Sequence, residues 1–305
     1  VTPHPPLVGL VPAVLTPFDP DGELNLAAVE RQAELALRDG LSAVFVGGTT
    51  GEFASLTVAE RLALARRWAE VARGTPLRVV VHVGSNCLAD ARALAAQAGQ
   101  LGAAAIATVA PGYFKPRTPA ALAECCAAIA AAAPQTPFYY YDIPAMTGVT
   151  LPVVEGVRAV ADRVPTFAGV KFSNPDLTAF QHLLRLGGGR FGALWGTDEY
   201  LLAALALGAE GAVGSSYNFA APLFHRMIAA FRAGDLAAAR EEQYEAVELI
   251  TLLARYGYFA AAKEVMRRRG VDLGPVRLPN ANLTAEQIAE LRRELEVFGP
   301  GGPGA

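Results

Sequence analysis

Short runs of β-branched, aromatic and small apolar residues alternate along the chain with longer stretches rich in alanine and leucine, whose polar positions recur at helical spacing. The short runs predict strands over residues 9–15, 43–46, 78–83, 104–109, 138–141, 167–171, 191–195 and 211–213. Between them, the longer stretches predict helices over 25–38, 57–73, 88–101, 119–132, 152–162, 175–186 and 198–207. Asn25, Thr57 and Thr118 stand where N-caps belong, because their side chains can accept from the free amides of a first helical turn. Gly40, Gly74, Gly102 and Gly208 end or follow helical stretches, where a left-handed residue is often required.

Strands separated by helices require crossover connections, and therefore a parallel sheet. Eight such units favour closure into a (β/α)8 TIM barrel, whereas five or six would favour an open, doubly wound sheet. No G-x-G-x-x-G follows the first strand, which weakens the dinucleotide-binding alternative. Residues 220–232 supply the eighth helix, and further helical stretches follow at 236–255, 258–269 and 284–297. A barrel needs roughly 250 residues, so the 305 present leave a surplus of about fifty. The expected organisation is a barrel over 1–232, a C-terminal helical extension of the same domain over 233–298, and a disordered Gly- and Pro-rich tail over 299–305. The extension is expected to pack against the barrel and to close its mouth. Gly187-Gly188-Gly189 precedes the seventh strand and reads as a turn, and Arg267-Arg268-Arg269 reads as a solvated helix end.

Composition narrows the function classes. The chain is 52% hydrophobic and 18% charged, enough apolar material for a large core. Its net charge of −3 gives no general attraction to nucleic acid or to an anionic membrane. Mean hydropathy is +0.29, largely from alanine, and no uninterrupted apolar window approaches the roughly 18 residues of a membrane span. Val1-Thr2-Pro3-His4-Pro5-Pro6 lacks the basic region and apolar stretch of a secretory leader, and three cysteines make no disulfide framework. The expected location is the cytoplasm. His4, His82, His182 and His225 show no metal-ligand spacing, so no metal is expected and His82 reads as a structural strand residue. Ser216 lacks the G-x-S-x-G context of a serine nucleophile.

In a barrel, chemistry gathers where strands run into their following loops. Those positions carry Gly47-Gly48-Thr49-Thr50-Gly51-Glu52, Gly84-Ser85-Asn86, Pro111-Gly112-Tyr113, Tyr141-Asp142, Lys171 with Ser173, Gly196-Thr197-Asp198-Glu199, and Gly214-Ser215-Ser216. Lys171 lies in an apolar strand, and alternation turns it inward while Val170 and Phe172 face the helices. There its amine either becomes a nucleophile for imine formation, as desolvation lowers its proton affinity, or snorkels to a wet rim. Tyr141 sits one strand–helix unit earlier and is either a proton relay beside such an imine or ordinary packing in a Tyr-Tyr-Tyr run. The 47–52 turn offers backbone amides and two hydroxyls to an oxyanion or carboxylate; its alternative is a plain glycine turn followed by a solvated glutamate. Asp198 and Glu199 read equally well as first-turn acids complementing a helix dipole.

At these residues the chain resembles the pyruvate-dependent class I aldolases of the dihydrodipicolinate synthase and N-acetylneuraminate lyase superfamily. The likeness runs from Pro12-Ala13-Val14-Leu15-Thr16-Pro17-Phe18 to Gly274-Pro275-Val276-Arg277-Leu278-Pro279, through Gly48-Thr49-Thr50-Gly51-Glu52, Tyr141-Asp142-Ile143-Pro144 and Gly169-Val170-Lys171. Within the superfamily the lyase branch is the more similar, because its members carry an acidic pair like Asp198-Glu199, and the 169–177 and 211–218 segments follow it too. Dihydrodipicolinate synthases carry an arginine where Met146 stands, and the lyases carry histidine or asparagine where Asp142 stands.

The resemblance implies a retro-aldol lyase releasing pyruvate and N-acetylmannosamine from N-acetylneuraminate, with no cofactor. Lys171 would form the imine and Tyr141 would take the C4 hydroxyl proton. Thr49, Thr50 and Gly51 would hold the pyruvate carboxylate, while Ser173, Gly196, Asp198, Glu199, Gly214 and Ser215 would line the sugar pocket. Tyr113 matches a position that varies among the lyases and is an accessory candidate. A homotetramer is the family expectation. The alternatives are an aldolase for another 2-keto-3-deoxy sugar acid, a dihydrodipicolinate synthase-like enzyme, and a catalytically silent keto-acid sensor.

Overall fold

Each apolar run becomes one strand of a single parallel sheet in the computed structural model, which describes residues 6–298. The strands are β1 Gly9–Pro12, β2 Ala43–Val46, β3 Arg78–His82, β4 Ala105–Val109, β5 Phe138–Asp142, β6 Phe167–Phe172, β7 Gly192–Trp195 and β8 Gly211–Gly214. Neighbours pair in sequence order, and β1 pairs with β8. Between β1 and β2 the seam is drawn together beyond the end of β1, where Ala13 bridges Phe45 and the Val14 amide donates to the Phe45 carbonyl at 3.0 Å. The chain is a (β/α)8 TIM barrel with C-terminal helices.

Alternation divides the core into two layers. Val11, Phe45, Val80, Ala107, Tyr139, Tyr141, Leu194 and Val213 fill the barrel interior. Val44, Val81, Ile106, Tyr140, Val170, Phe172 and Trp195 face outward into the helices. Because both faces are buried, these strands read as nearly unbroken apolar runs, and parity alone decides which side chain reaches the centre.

The helices are α1 Ala28–Arg38, α2 Val58–Ala72, α3 Leu88–Gln100, α4 Pro119–Ala130, a short α5 Pro144–Thr147, α6 Val153–Arg163, α7 Leu177–Leu184, α8 Leu201–Leu207 and α9 Tyr217–Arg232. Thr57 caps α2 in a reciprocal box with Glu60, and Thr118 caps α4 through the Ala121 amide. Asn25 does not cap α1. Its own amide is tied to the Pro17 carbonyl at 3.0 Å in the preceding loop, so the helix begins three residues later. Asp176 caps α7, and a single 3-10 turn at Asp198–Tyr200 precedes α8. Helix α9 starts earlier than its expected residue 220, with a kink at Ala220 just before Pro222.

The extension consists of α10 Leu236–Arg255, which lies along α9, then α11 Tyr258–Arg268 and α12 Ala285–Glu294. Arg269 is not part of a solvated end. Helix α11 docks at the C-terminus of α1, where the Arg269 guanidinium pairs with both carboxylate oxygens of Asp39, at 2.9 and 3.0 Å, and bonds the Phe219 carbonyl. Among the described residues no helix is long and apolar enough to cross a membrane. The expectation of disorder over 299–305 lies outside the described residues.

Candidate active site

Lys171 projects from β6 into the barrel and is 3% exposed, while Val170 and Phe172 on either side belong to the outer layer. The sheet register places Tyr141 of β5 directly opposite it. Its Nζ lies 3.9 Å from the centre of the Tyr141 ring and 4.2 Å from that of Phe45. Among the described residues no carboxylate comes within ion-pair distance of this amine. Aromatic faces therefore stand in for a counter-ion, a weaker substitute that leaves the nitrogen free to react.

The 47–52 turn closes one side. Thr49 Oγ1 lies 3.5 Å from the Tyr141 hydroxyl, and Thr50 Oγ1 lies 2.6 Å from Ser215 Oγ on the β8 side. The turn is anchored from below by His82, whose Nδ1 sits 2.8 Å from the Gly47 carbonyl and must carry the proton, since a carbonyl can only accept. Burial, followed by the charges of Arg61 and Lys171, holds the His82 imidazole well below its ordinary pKa, so the ring is neutral. Its ring meets Phe53 and Tyr141 edge-on, with centres 4.6 and 6.0 Å apart. Parity with Val80 marks His82 in the sequence as a residue that faces the barrel interior. Glu52 is not solvated: its side chain is fully buried and pairs with Lys263 of α11 at 3.2 Å.

Opposite, Ser173 donates to the Gly196 carbonyl at 3.0 Å, and Asp198 accepts from the Ser216 amide at 2.8 Å. Both neighbouring glycines are dictated by close approach. A Cβ on Gly196 would stand 2.1 Å from Ser173 Oγ, and one on Gly214 would stand 1.7 Å from an Asp198 oxygen. Burial raises the Asp198 pKa, against the opposing pull of the Ser216 amide and the Lys171 charge. Burial likewise raises that of half-buried Glu199. The resulting mouth has an amine and a phenol at its floor and hydroxyls on two sides, with the Asp198 carboxylate packed behind Gly214.

The chain as a whole has known counterparts. The dihydrodipicolinate synthetase family matches residues 6–297. The chain belongs to that family. N-acetylneuraminate lyase of Gallus gallus is 40% identical over 300 residues, 97% of each chain. N-acetylneuraminate lyase A of Xenopus laevis is 43% identical over 276 residues, 90% of each. The solved structure of Proteus mirabilis N-acetylneuraminate lyase superposes with a TM-score of 0.94 at 36% identity, covering 97% of this chain and 99% of that one.

Tyr113, the accessory candidate, is 77% exposed and stacks edge-on against exposed Phe114 in the loop after β4. Asp142 follows Tyr141 but points outward with Tyr140, where its carboxylate accepts from Asn174 Nδ2 at 2.9 Å. Burial pushes its pKa up to about 6. The folded state then holds a proton that the unfolded chain has released, so stability falls as pH rises from about 4 to about 6 and stays lower above. Asp142→Asn is expected to stabilise the protein by ~1–3 kcal/mol at pH 7.5, with no gain at pH 3. Thermal denaturation across that range checks this; an equal or lower Tm at pH 7.5 would refute it.

A cavity of about 320 Å³ opens beside Thr49, walled by Phe53, Val109, Met146, Phe259, Pro279 and Asn280. Phe259, Pro279 and Asn280 belong to the C-terminal extension, which therefore packs beside Thr49.

Proposed function

We propose that this protein is a Schiff-base lyase cleaving N-acetylneuraminate into N-acetylmannosamine and pyruvate. The observation that carries the reading is the buried Lys171 amine, held against the Tyr141 ring without a carboxylate partner, beside two threonine hydroxyls. The neutral amine adds to the C2 ketone, and loss of water gives a protonated imine. Tyr141 oxygen takes the C4 hydroxyl proton while the C3–C4 bond breaks. The bonding pair flows into the imine as an enamine, and the aldehyde of the amino sugar leaves. Protonation at C3 and hydrolysis then return Lys171 and release pyruvate.

Thr49, Thr50 and the Gly51 amide hold the keto-acid carboxylate, and Ser173, Gly196, Asp198, Glu199, Gly214 and Ser215 form the sugar side. Two observations favour a sugar acid over a dihydrodipicolinate-type substrate. Met146 is uncharged and 65% exposed where such synthases carry arginine, and the curated relatives described above are N-acetylneuraminate lyases.

A homotetramer and a cytoplasmic location complete the proposal. The exposed Tyr113, Phe114 and Met146 support the first as apolar surface suited to cover by another protomer, and the free thiols, including exposed Cys87, support the second. The test is pyruvate release from a panel of 2-keto-3-deoxy acids. N-acetylneuraminate is expected to give the highest kcat/KM; a preference for another acid, or no release from any, overturns the assignment.

A further inference from the structure

The 47–52 turn is held from outside the barrel by residues far along the chain. Glu52 ends the turn in the left-handed region, with φ 53°, and its side chain is directed toward the C-terminal extension. One carboxylate oxygen meets Lys263 Nζ at 3.2 Å. The other accepts from the Arg277 amide at 2.9 Å and from Asn280 Nδ2 at 3.2 Å. Lys263 also donates to the Pro275 carbonyl at 2.5 Å.

Lys263 and the Arg277 guanidinium each lie 4.4 Å from the centre of the Phe18 ring in the loop after β1. Arg277 further donates to the carbonyls of Gly22 and Ser55 and to the Glu60 carboxylate that completes the α2 capping box. Residues 273–280 therefore form a strap across the loops after β1 and β2, and Glu52 is the point where the strap grips the turn. Burial lowers the Lys263 pKa to about 8, against the opposing charge of Glu52.

We infer that Glu52 is a positioning residue for the keto-acid carboxylate, and that Lys263 and the 273–280 strap fix the Thr49 and Thr50 hydroxyls and amides through it. Glu52 touches no reacting atom; its effect passes along three residues of backbone. The inference rests on the lyase reading for its functional consequence, although the mechanical coupling stands independently. A left-handed non-glycine residue is strained, and it persists only when its surroundings over-determine it. Four groups from the extension supply that constraint: the Lys263 ammonium, the Arg277 amide, the Asn280 amide and the Phe18-stacked guanidinium.

The test uses the full chain carrying Lys263→Met, in which the methionine stem keeps its place against Phe18, and separately Glu52→Gln. Amide hydrogen exchange of the peptide spanning 47–55 is expected to quicken by about tenfold or more in Lys263→Met, with β4–β6 peptides unchanged. In the synthetic direction, KM for pyruvate is expected to rise about tenfold in both variants, while KM for N-acetylmannosamine and kcat at saturating pyruvate stay within about threefold.

A merely structural pair would make a different prediction in the double variant Glu52→Gln/Lys263→Met. Removing both partners relieves the unpaired buried charge and restores Tm. The positioning role requires pyruvate KM to remain raised there. The inference is overturned by unchanged exchange at 47–55, by pyruvate KM within about twofold of the parent in the single variants, or by KM returning together with Tm in the double variant. Failure of the parent protein to form a pyruvate adduct sinks the lyase reading instead, and leaves the exchange result to judge the coupling alone.

Discussion

Lys171→Met is expected to lose at least about four orders of magnitude in turnover, because no other group can supply the covalent electron sink. Borohydride with pyruvate should add to Lys171 in the parent protein and leave the variant unlabelled by peptide mass analysis. Methionine fills the same volume between Phe45 and Tyr141 and replaces a buried polar amine that has no carboxylate within ion-pair distance among the described residues, so Tm should hold or rise. That separates lost chemistry from lost fold. Residual turnover above about 1%, or a pyruvate adduct on another lysine, would remove Lys171 from the mechanism.

Tyr141→Phe should separate ring from hydroxyl. The face that stacks on the amine remains, and only the group 3.5 Å from Thr49 is lost. Loss of a positioned acid–base group costs about 10²–10⁴ in rate, so kcat is expected to fall within that range. Pyruvate should still be trapped on Lys171, since imine formation precedes the proton transfer from C4. A fall in kcat of less than about tenfold would assign the phenol a packing role, the alternative that the Tyr-Tyr-Tyr run left open.

The barrel was legible because parallel strands with two buried faces leave short apolar runs at regular intervals, and the eight-fold count favoured closure over an open sheet. The inward aim of Lys171 followed from the parity of Val170 and Phe172. Boundaries were less accessible. Asn25 has the chemistry of a cap, yet a tertiary bond from its amide to Pro17 overrode that local preference. Glu52 and Arg269 looked like solvated charges because their partners, Lys263 and Asp39, lie 211 and 230 residues away in sequence. Pattern reading sees neighbours along the chain, and pairing across such distances leaves no periodic trace. His82 differs: its inward parity with Val80 is visible in the sequence, while the hydrogen bond by which its ring supports the turn depends on a tertiary contact with Gly47.

The two aromatic faces around Lys171 have a consequence for the course of the reaction. The neutral amine becomes a protonated imine, so a positive charge develops at Nζ as the adduct forms. A ring quadrupole, unlike a carboxylate, favours that charge without taking or donating a proton. Phe45 and Tyr141 thus offer a chamber whose electrostatics are already set for the cationic adduct when the keto acid arrives. The solvent-like rearrangement that would accompany the same condensation in water is largely avoided.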